Sequence, residues 1–173
     1  MRQAILLVGP RGAGKSTWLA NNIAYYEGAV SYSRDEFLAK NFPDGFCRYN
    51  FPIEIGIEAF WKDARDREAA TPSQTVFYDY WTGFVGERRR VVEKLREMGF
   101  DKVFAYWVRT PKETTIAQFL QREGSAYTRH SAEWDWSLFH ENVADLTGDV
   151  DCPFDGVSHI NHAQLSMSEA LHA

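Results

Sequence analysis

Residues 4–8 read Ala-Ile-Leu-Leu-Val, and residues 9–17 continue as Gly-Pro-Arg-Gly-Ala-Gly-Lys-Ser-Thr. The first run is apolar and of strand length, and the second fits the pattern G-x-x-x-x-G-K-[ST]. Residues 18–20, Trp-Leu-Ala, lead into a helical pattern. A strand, a glycine-rich loop and a helix in this order are the context that the pattern requires. The stretch therefore predicts a loop that binds the phosphates of a nucleotide.

The residue types in this loop suit ATP and Mg²⁺. Its glycines allow a tight turn that brings backbone N–H groups onto an anion, and the following helix points its positive end at the same anion. Lys15 can reach the β- and γ-phosphates, and the Ser16 hydroxyl can bind Mg²⁺. The predicted ATP-binding residues are Gly9, Gly12, Ala13, Gly14, Lys15, Ser16 and Thr17. The loop alone leaves open whether the γ-phosphate goes to water or to a substrate.

Length and charge narrow the class of protein. The 173 residues predict one domain over 1–173, since domains usually run to about 100–200 residues. The formal net charge of -5 argues against a protein that coats itself in nucleic acid. It does not argue against binding one strand end in a local basic channel.

Cysteine usage and hydropathy favour a cytoplasmic location. Cys47 and Cys152 form no C-x-x-C pair, so we expect two reduced thiols rather than a zinc or redox motif. The apolar run before the loop is too short for a signal peptide, and no run approaches the roughly 20 apolar residues of a membrane span. The sequence thus predicts no membrane partner, and no motif indicates a protein partner.

A second short strand, residues 29–32, is followed by Ser-Arg-Asp-Glu-Phe at 33–37. In a doubly wound sheet, residues just past the carboxyl end of a strand face the ligand crevice. Asp35 would then lie near the phosphates, where a carboxylate can accept the proton of an attacking hydroxyl, with Arg34 beside the acceptor. Alternatively, Ser33 caps a short helix and Asp35 is one of its first-turn acids.

The loop together with Ser-Arg-Asp-Glu-Phe resembles the kinase domain of bacteriophage polynucleotide 5′-kinases and the small P-loop kinases related to them. The resemblance implies that Asp35 activates the acceptor hydroxyl. In those phage kinases an arginine stands three residues after the aspartate and helps to hold the substrate's phosphate. Leu38 occupies that position here, which favours a substrate other than a polynucleotide while leaving kinase chemistry intact.

A third strand, residues 75–79, ends in Asp79, as in a Walker-B pattern. The resemblance implies that Asp79 either orients the acceptor or holds Mg²⁺ through water. Tyr80 and Trp81 follow, and they either stack on a planar acceptor or close the core. In the aromatic-rich segment 41–50, Arg48 is the basic residue predicted to meet a substrate phosphate.

The stretch after the fourth strand and its helix is typically a lid in P-loop kinases, which here covers about residues 122–131. Lid arginines close over the transferring phosphate and neutralise its charge. By position, this role falls to Arg122 and then to Arg129 as a further ATP contact. Alternatively, Arg122 is an ordinary cation at a helix C-terminus.

Strands and helices alternate along the whole chain, which predicts an α/β fold: a five-stranded parallel sheet, doubly wound in three layers, of the P-loop NTPase kinase type. The resemblance implies an ATP-dependent phosphotransferase with a hydroxyl acceptor. The catalytic residues are then Lys15, Asp35 and Arg122. Three acceptors compete: a polynucleotide 5′-hydroxyl, a hydroxymethylated base within phage DNA, and a free nucleoside, nucleotide or other small hydroxyl compound. An NTP-hydrolysing switch is the alternative from another class.

Overall fold

The computed structural model describes residues 1–42, 53–123, 127–141, 143–147 and 152–165. One parallel sheet of five strands, in the order β2-β3-β1-β4-β5, runs through them. The strands are β1 (Gln3–Val8), β2 (Val30–Ser33), β3 (Thr75–Asp79), β4 (Lys102–Arg109) and β5 (Gly156–Asn161). The predicted fold class is confirmed, because the sheet is parallel throughout and carries helices between its strands.

The helices are α1 (Lys15–Asn22), α2 (Arg34–Asn41), α3 (Ile53–Ala70), α4 (Val85–Glu97), α5 (Lys112–Glu123) and α6 (Arg129–Leu138). Short 3₁₀ turns cover Ile23–Tyr25, Ala144–Leu146 and His162–Leu165. Among the described ranges, no helix combines the length and the apolar character needed to cross a membrane.

The apolar run of β1 is the centre of the core, and residues 4–8 are each at most 1% exposed. Its alternate side chains enter two apolar clusters, one on each face of the sheet. Trp18 of α1 packs in one cluster, and Phe60 and Trp61 of α3 pack in the other. A strand that is covered on both faces has a continuous apolar sequence, so residues 4–8 indicate a strand although polar and apolar residues do not alternate there.

The register of the sheet brings the functional loops to one edge. Leu7 of β1 pairs with Asp79 of β3, and Ser33 of β2 pairs with that same Asp79. The phosphate loop, the start of α2 and the end of β3 therefore leave the sheet side by side. This edge is where ligands bind in open parallel sheets.

The helix boundaries differ from the sequence pattern in two places. The first helix ends at Asn22 and continues as a 3₁₀ turn, although the pattern suggests a helix to residue 26. The sequence pattern also predicts a helix from Ser131 to about Leu146, whereas α6 begins at Arg129 and ends at Leu138. It begins earlier because the Thr128 hydroxyl caps it by accepting a hydrogen bond from the Ser131 N–H at 3.2 Å.

Candidate active site

The phosphate loop joins β1 to α1, and two of its glycines are sterically required. Gly12 and Gly14 have φ angles of +81° and +94°, a region that side chains other than glycine rarely adopt. A Cβ on Gly12 would lie 2.6 Å from the Thr115 carbonyl oxygen of α5. A Cβ on Gly14 would lie 2.7 Å from a Leu165 methyl carbon. The loop therefore packs its backbone closely against α5 and against Leu165.

Lys15 and Ser16 lie at the end of this loop and already contact polar groups. The Lys15 ammonium donates hydrogen bonds to the carbonyl oxygens of Gly9 (3.0 Å) and Pro10 (3.1 Å). The Ser16 hydroxyl donates to Asp79 Oδ2 at 2.7 Å. A hydroxyl beside a carboxylate offers the hard oxygen ligands that Mg²⁺ prefers. The described residues contain no cluster of three His, Cys, Asp or Glu side chains that could hold a metal by themselves.

Two cavities flank this point, and we call them the nucleotide cavity and the acceptor cavity. The nucleotide cavity, of about 450 Å³, is lined by Gly12, Gly14, Lys15, Ser16, Thr17, Asn21, Gln118, Arg122, His162 and Leu165. The acceptor cavity, of about 220 Å³, is lined by Arg11, Lys15, Ser16, Ser33, Asp35, Glu36, Ala39, Asp79, Trp81 and Arg122. Lys15, Ser16 and Arg122 line both cavities, so they stand at the boundary between them.

Asp35 lies in the first turn of α2 and faces the acceptor cavity. The two interpretations of this stretch are compatible, because Ser33 caps α2 by accepting from the Glu36 N–H at 3.4 Å. Arg34 donates twice to Asp35, at 3.0 and 2.8 Å, and both bonds go to Oδ1. In the part of the chain that the structure describes, Oδ2 of Asp35 accepts no hydrogen bond and is the oxygen available to a hydroxyl.

The charges around Asp35 favour its ionised form. Burial by itself would raise the pKa of this carboxyl, but the positive charges of Arg34, Lys15 and Arg122 outweigh burial and lower the pKa below its ordinary value. Asp35 is therefore a carboxylate at neutral pH. A carboxylate that is paired with Arg34 and lies in the field of two further cations can accept a proton only from a group that is itself being made acidic.

Trp81 and Tyr80 have different surroundings. Trp81 lines the acceptor cavity, as one interpretation of the sequence expects. Tyr80 is only 3% exposed, belongs to the buried core and does not line the cavity. Its ring packs on Phe60 and Trp61 of α3, and the Arg34 guanidinium lies 5.1 Å from its centre. The Tyr80 ring thus packs against the Arg34 guanidinium and helps to hold it beside Asp35.

Asp135 of α6 is a site residue that the sequence interpretation missed. It is fully buried and accepts hydrogen bonds from the Arg11 backbone N–H (2.7 Å) and the Trp81 indole N–H (2.8 Å). The Arg11 guanidinium lies 3.4 Å from the same carboxylate. Asp135 therefore ties the phosphate loop to the wall of the acceptor cavity. The sequence carries one signal for this role: Asp135 is an acidic residue on the apolar face of a helix, four residues before Phe139.

The two predicted lid arginines, Arg122 and Arg129, differ in whether they line the cavities. Arg122, in the last turn of α5, lines both cavities. Arg129 lines neither cavity, and its guanidinium is bound by Glu113 at 2.8 and 2.9 Å and by Glu133 at 3.0 Å. Arg129 therefore lies on two carboxylates in this structure, and its contact with ATP stays a prediction. Arg48 lies outside the described residues, and Leu38 is buried in the core.

This sheet order, with a glycine-rich loop between β1 and α1, defines the fold of the P-loop kinases. Solved structures with a similar fold agree, at low sequence identity. A chain of the PezAT chromosomal toxin–antitoxin system of Streptococcus pneumoniae is 15% identical (TM-score 0.67) over 94% of this chain and 69% of its own. A sugar kinase from a Janibacter species is 18% identical (TM-score 0.53) over 93% and 86%. A chain of the Pnkp1/Rnl/Hen1 RNA repair complex is 17% identical (TM-score 0.61) over 80% and 44%.

No protein-family model matches the chain, and no curated protein sequence matches it either. The comparisons therefore establish the fold, and the argument for an activity depends on the residues of the site.

Proposed function

We propose that this protein is an ATP-dependent kinase that transfers the γ-phosphate to a hydroxyl group of a nucleic-acid or nucleoside-type acceptor. The observation that carries the proposal is the pair of cavities that share Lys15, Ser16 and Arg122. ATP bound on the loop would direct its γ-phosphate to this shared boundary. A hydrolysing switch needs no second cavity with a carboxylate such as Asp35 at its wall.

The proposed step is an in-line displacement. The acceptor hydroxyl oxygen forms a bond to the γ-phosphorus, while the bond from that phosphorus to the β,γ-bridging oxygen breaks and ADP leaves. Asp35 Oδ2 takes the hydroxyl proton as the oxygen becomes acidic, and Lys15 and Arg122 stabilise the negative charge of the transferring group. Mg²⁺, held on its protein side by Ser16 and Asp79, would supply further charge neutralisation when bound.

The acceptor class is supported from two directions. The Ser-Arg-Asp sequence, together with the cations Arg11 and Arg122 at the acceptor cavity, favours a polynucleotide 5′-hydroxyl. A second candidate, a nucleoside or other small hydroxyl compound, is favoured by the modest volume of about 220 Å³ and by Leu38, which supplies no charge. A hydroxymethylated base in DNA is a variant of the first candidate, since Trp81 could contact a base turned out of its stack.

Transfer of label from γ-³²P-ATP tests the proposal. The acceptors are a 5′-hydroxyl oligonucleotide, DNA containing hydroxymethyluracil, and a panel of nucleosides, nucleotides and sugars. Asp35→Asn should abolish transfer to whichever acceptor is used. Glu36→Gln is the matched control, because Glu36 lines the same cavity but is no part of the proposed proton path.

Each outcome decides between the candidates. Label at the 5′ end of the oligonucleotide that is lost in Asp35→Asn supports a polynucleotide kinase. Label only on a modified base or a small compound retains the kinase and replaces the acceptor. Steady ATP hydrolysis without a labelled acceptor, equal in wild type and Asp35→Asn, would refute the kinase and leave the switch.

A further inference from the structure

A third cavity, of about 370 Å³, lies beside the acceptor cavity and opens to the surface. It is lined by Arg11, Tyr127, His130, Ser131 and Trp134. Arg11 lines both cavities and is held between them by its bonds to Asp135 and by the rings of Phe119 and Tyr127, whose centres lie 4.9 and 5.2 Å from the guanidinium. The side chain of Arg11 is therefore a fixed part of the wall that the two cavities share.

Three aromatic rings in contact with one another extend from the wall of the acceptor cavity to the surface, and we call them the aromatic step: Trp81, Phe84 and Trp134. Phe84 meets Trp81 edge to face at 5.4 Å and Trp134 at 6.2 Å. Trp81 lines the acceptor cavity, whereas Phe84 is 51% exposed and Trp134 is 47% exposed. The step thus begins at the site of the reacting hydroxyl and ends at solvent.

Two large exposed rings in contact with each other need an explanation, because large apolar side chains are favoured in the interior. Neither ring is required to close the core, since the buried cluster on this face of the sheet is completed by Trp61, Tyr80 and Phe139. A flat ring of a ligand could stack on the exposed rings. Stacking of bases on such rings contributes about 1–3 kcal/mol per base in proteins that bind single strands without reading the sequence.

The aromatic step begins at Trp81 in the wall of the acceptor cavity, and this continuity indicates which kind of ligand would cover its exposed rings. The cavity has room for the hydroxyl-bearing group of an acceptor, and the rest of a longer acceptor can leave past Trp81 and Arg11 toward the third cavity. A sugar or another small compound that is confined to the acceptor cavity would leave the exposed rings uncovered. A nucleobase attached to the next sugar along a strand would meet them directly.

We infer that the aromatic step is a stacking subsite for a nucleobase of a single-stranded nucleic-acid acceptor. The inference rests on the proposed kinase function and deepens it, because it selects a polynucleotide over a small hydroxyl compound. Trp134 and Phe84 are the residues that distinguish the two acceptor classes.

Direct binding tests the subsite independently of catalysis. The probe is a 3′-labelled single-stranded oligonucleotide with a free 5′-hydroxyl, compared with the same strand whose nucleotides near the 5′ end are abasic. Wild type should bind the normal strand about tenfold more tightly, within the range that stacking one base provides. Trp134→Ala and Phe84→Ala should each reduce this preference. Tyr25→Ala is the matched control, since Tyr25 is 51% exposed on another part of the surface and should leave the preference intact.

The results separate this inference from the kinase proposal. Equal binding of the normal and abasic strands by wild type, or equal effects of Trp134→Ala and Tyr25→Ala, overturns the aromatic step even where a small acceptor is phosphorylated. A base preference that depends on Trp134, found without transfer to any acceptor, supports the subsite and refutes the kinase. Sedimentation at the assay concentration gives a further check. Dimers that dissociate in Trp134→Ala would mean that a second copy of the chain covers the step, and would also overturn the inference.

Discussion

The nucleotide cavity and the acceptor cavity share a boundary but are built in different ways. Half of the residues that line the nucleotide side come from one continuous stretch, residues 9–17, whose backbone conformation is fixed by glycines and by contact with α5. The acceptor side is assembled from side chains on the phosphate loop, α2, β3, α5 and α6. The nucleotide side, where the backbone forms the binding loop, depends on the free space around a few backbone atoms. The acceptor side depends on charges and hydrogen bonds between side chains that are distant in sequence.

This difference predicts how each side will respond to mutation. Changes on the nucleotide side should act through lost phosphate contacts or through steric clash. Changes on the acceptor side should act through acceptor affinity and the protonation of Asp35. A residue on the shared boundary should affect both sides, and we expect the largest effect there.

Lys15→Ala should reduce the rate of phosphoryl transfer by about 10²–10³-fold, the range for loss of one preorganised donor to a developing anion. Within the described residues, its Nζ donates hydrogen bonds to the loop carbonyls of Gly9 and Pro10 alone, so the folded state should be retained. Single-turnover transfer with saturating ATP measures the effect, with thermal unfolding as the check on folding. Lys62→Ala, which removes an exposed lysine paired with Asp66, is the control. A fall of less than tenfold would contradict the role of Lys15.

Gly12→Ala should destabilise the fold by about 1–3 kcal/mol, the usual cost of overpacking, because the added Cβ would meet α5 backbone atoms at 2.6 and 2.7 Å. Gly28→Ala is the matched control. Gly28 also has a positive φ, of +67°, but no atom lies within 4 Å of the added Cβ, so this variant carries only the conformational cost. Urea unfolding of both variants measures the difference. Equal losses would mean that the contact with α5 is unimportant.

Asp135→Asn should weaken the link between the phosphate loop and Trp81. The amide cannot accept from both N–H groups as the carboxylate does, and an unsatisfied buried group costs about 1–3 kcal/mol. We expect KM for the acceptor to rise several-fold while the affinity for ATP changes less. Trp81→Phe removes one of the same bonds, so the two mutations should be non-additive. Additive effects on acceptor KM would show that Asp135 acts elsewhere.

The same contrast explains what the sequence could predict. The strand, the loop and the helix over residues 3–22 form a local pattern, and the placement of Lys15 and Ser16 follows from that pattern alone. Asp35 and Asp79 were predictable because each follows a strand of a parallel sheet. The positions of Asp135 and Arg129 depend on how α6 packs against the rest of the molecule. Arg129 was assigned to ATP by its place in the lid, but the identity of its partners, Glu113 and Glu133, is a tertiary feature.

The smallest predicted effect concerns the pH dependence of the acceptor side. Because Arg34 and its neighbours lower the pKa of Asp35, the carboxylate is preserved in the folded protein to a pH below the ordinary carboxyl range. The stability that this provides is fully present above the pKa of the unfolded chain, and it is lost as the pH falls through the lowered folded-state pKa. Asp35→Asn should therefore make unfolding free energy fall less steeply with acidification.

Removing Arg34, the ion-pair partner of Asp35, should change the pH dependence of catalysis. In Arg34→Gln the pKa of Asp35 should rise, so the acid limb of kcat/KM should move to higher pH. Arg67→Gln breaks an Arg–Asp pair with Asp63 at the surface of α3, and should leave that limb unchanged. An acid limb that moves equally in both variants would assign the titration to some other group. An acid limb that does not move in Arg34→Gln would mean that Asp35 does not accept the acceptor proton, even if Arg34→Gln raises KM.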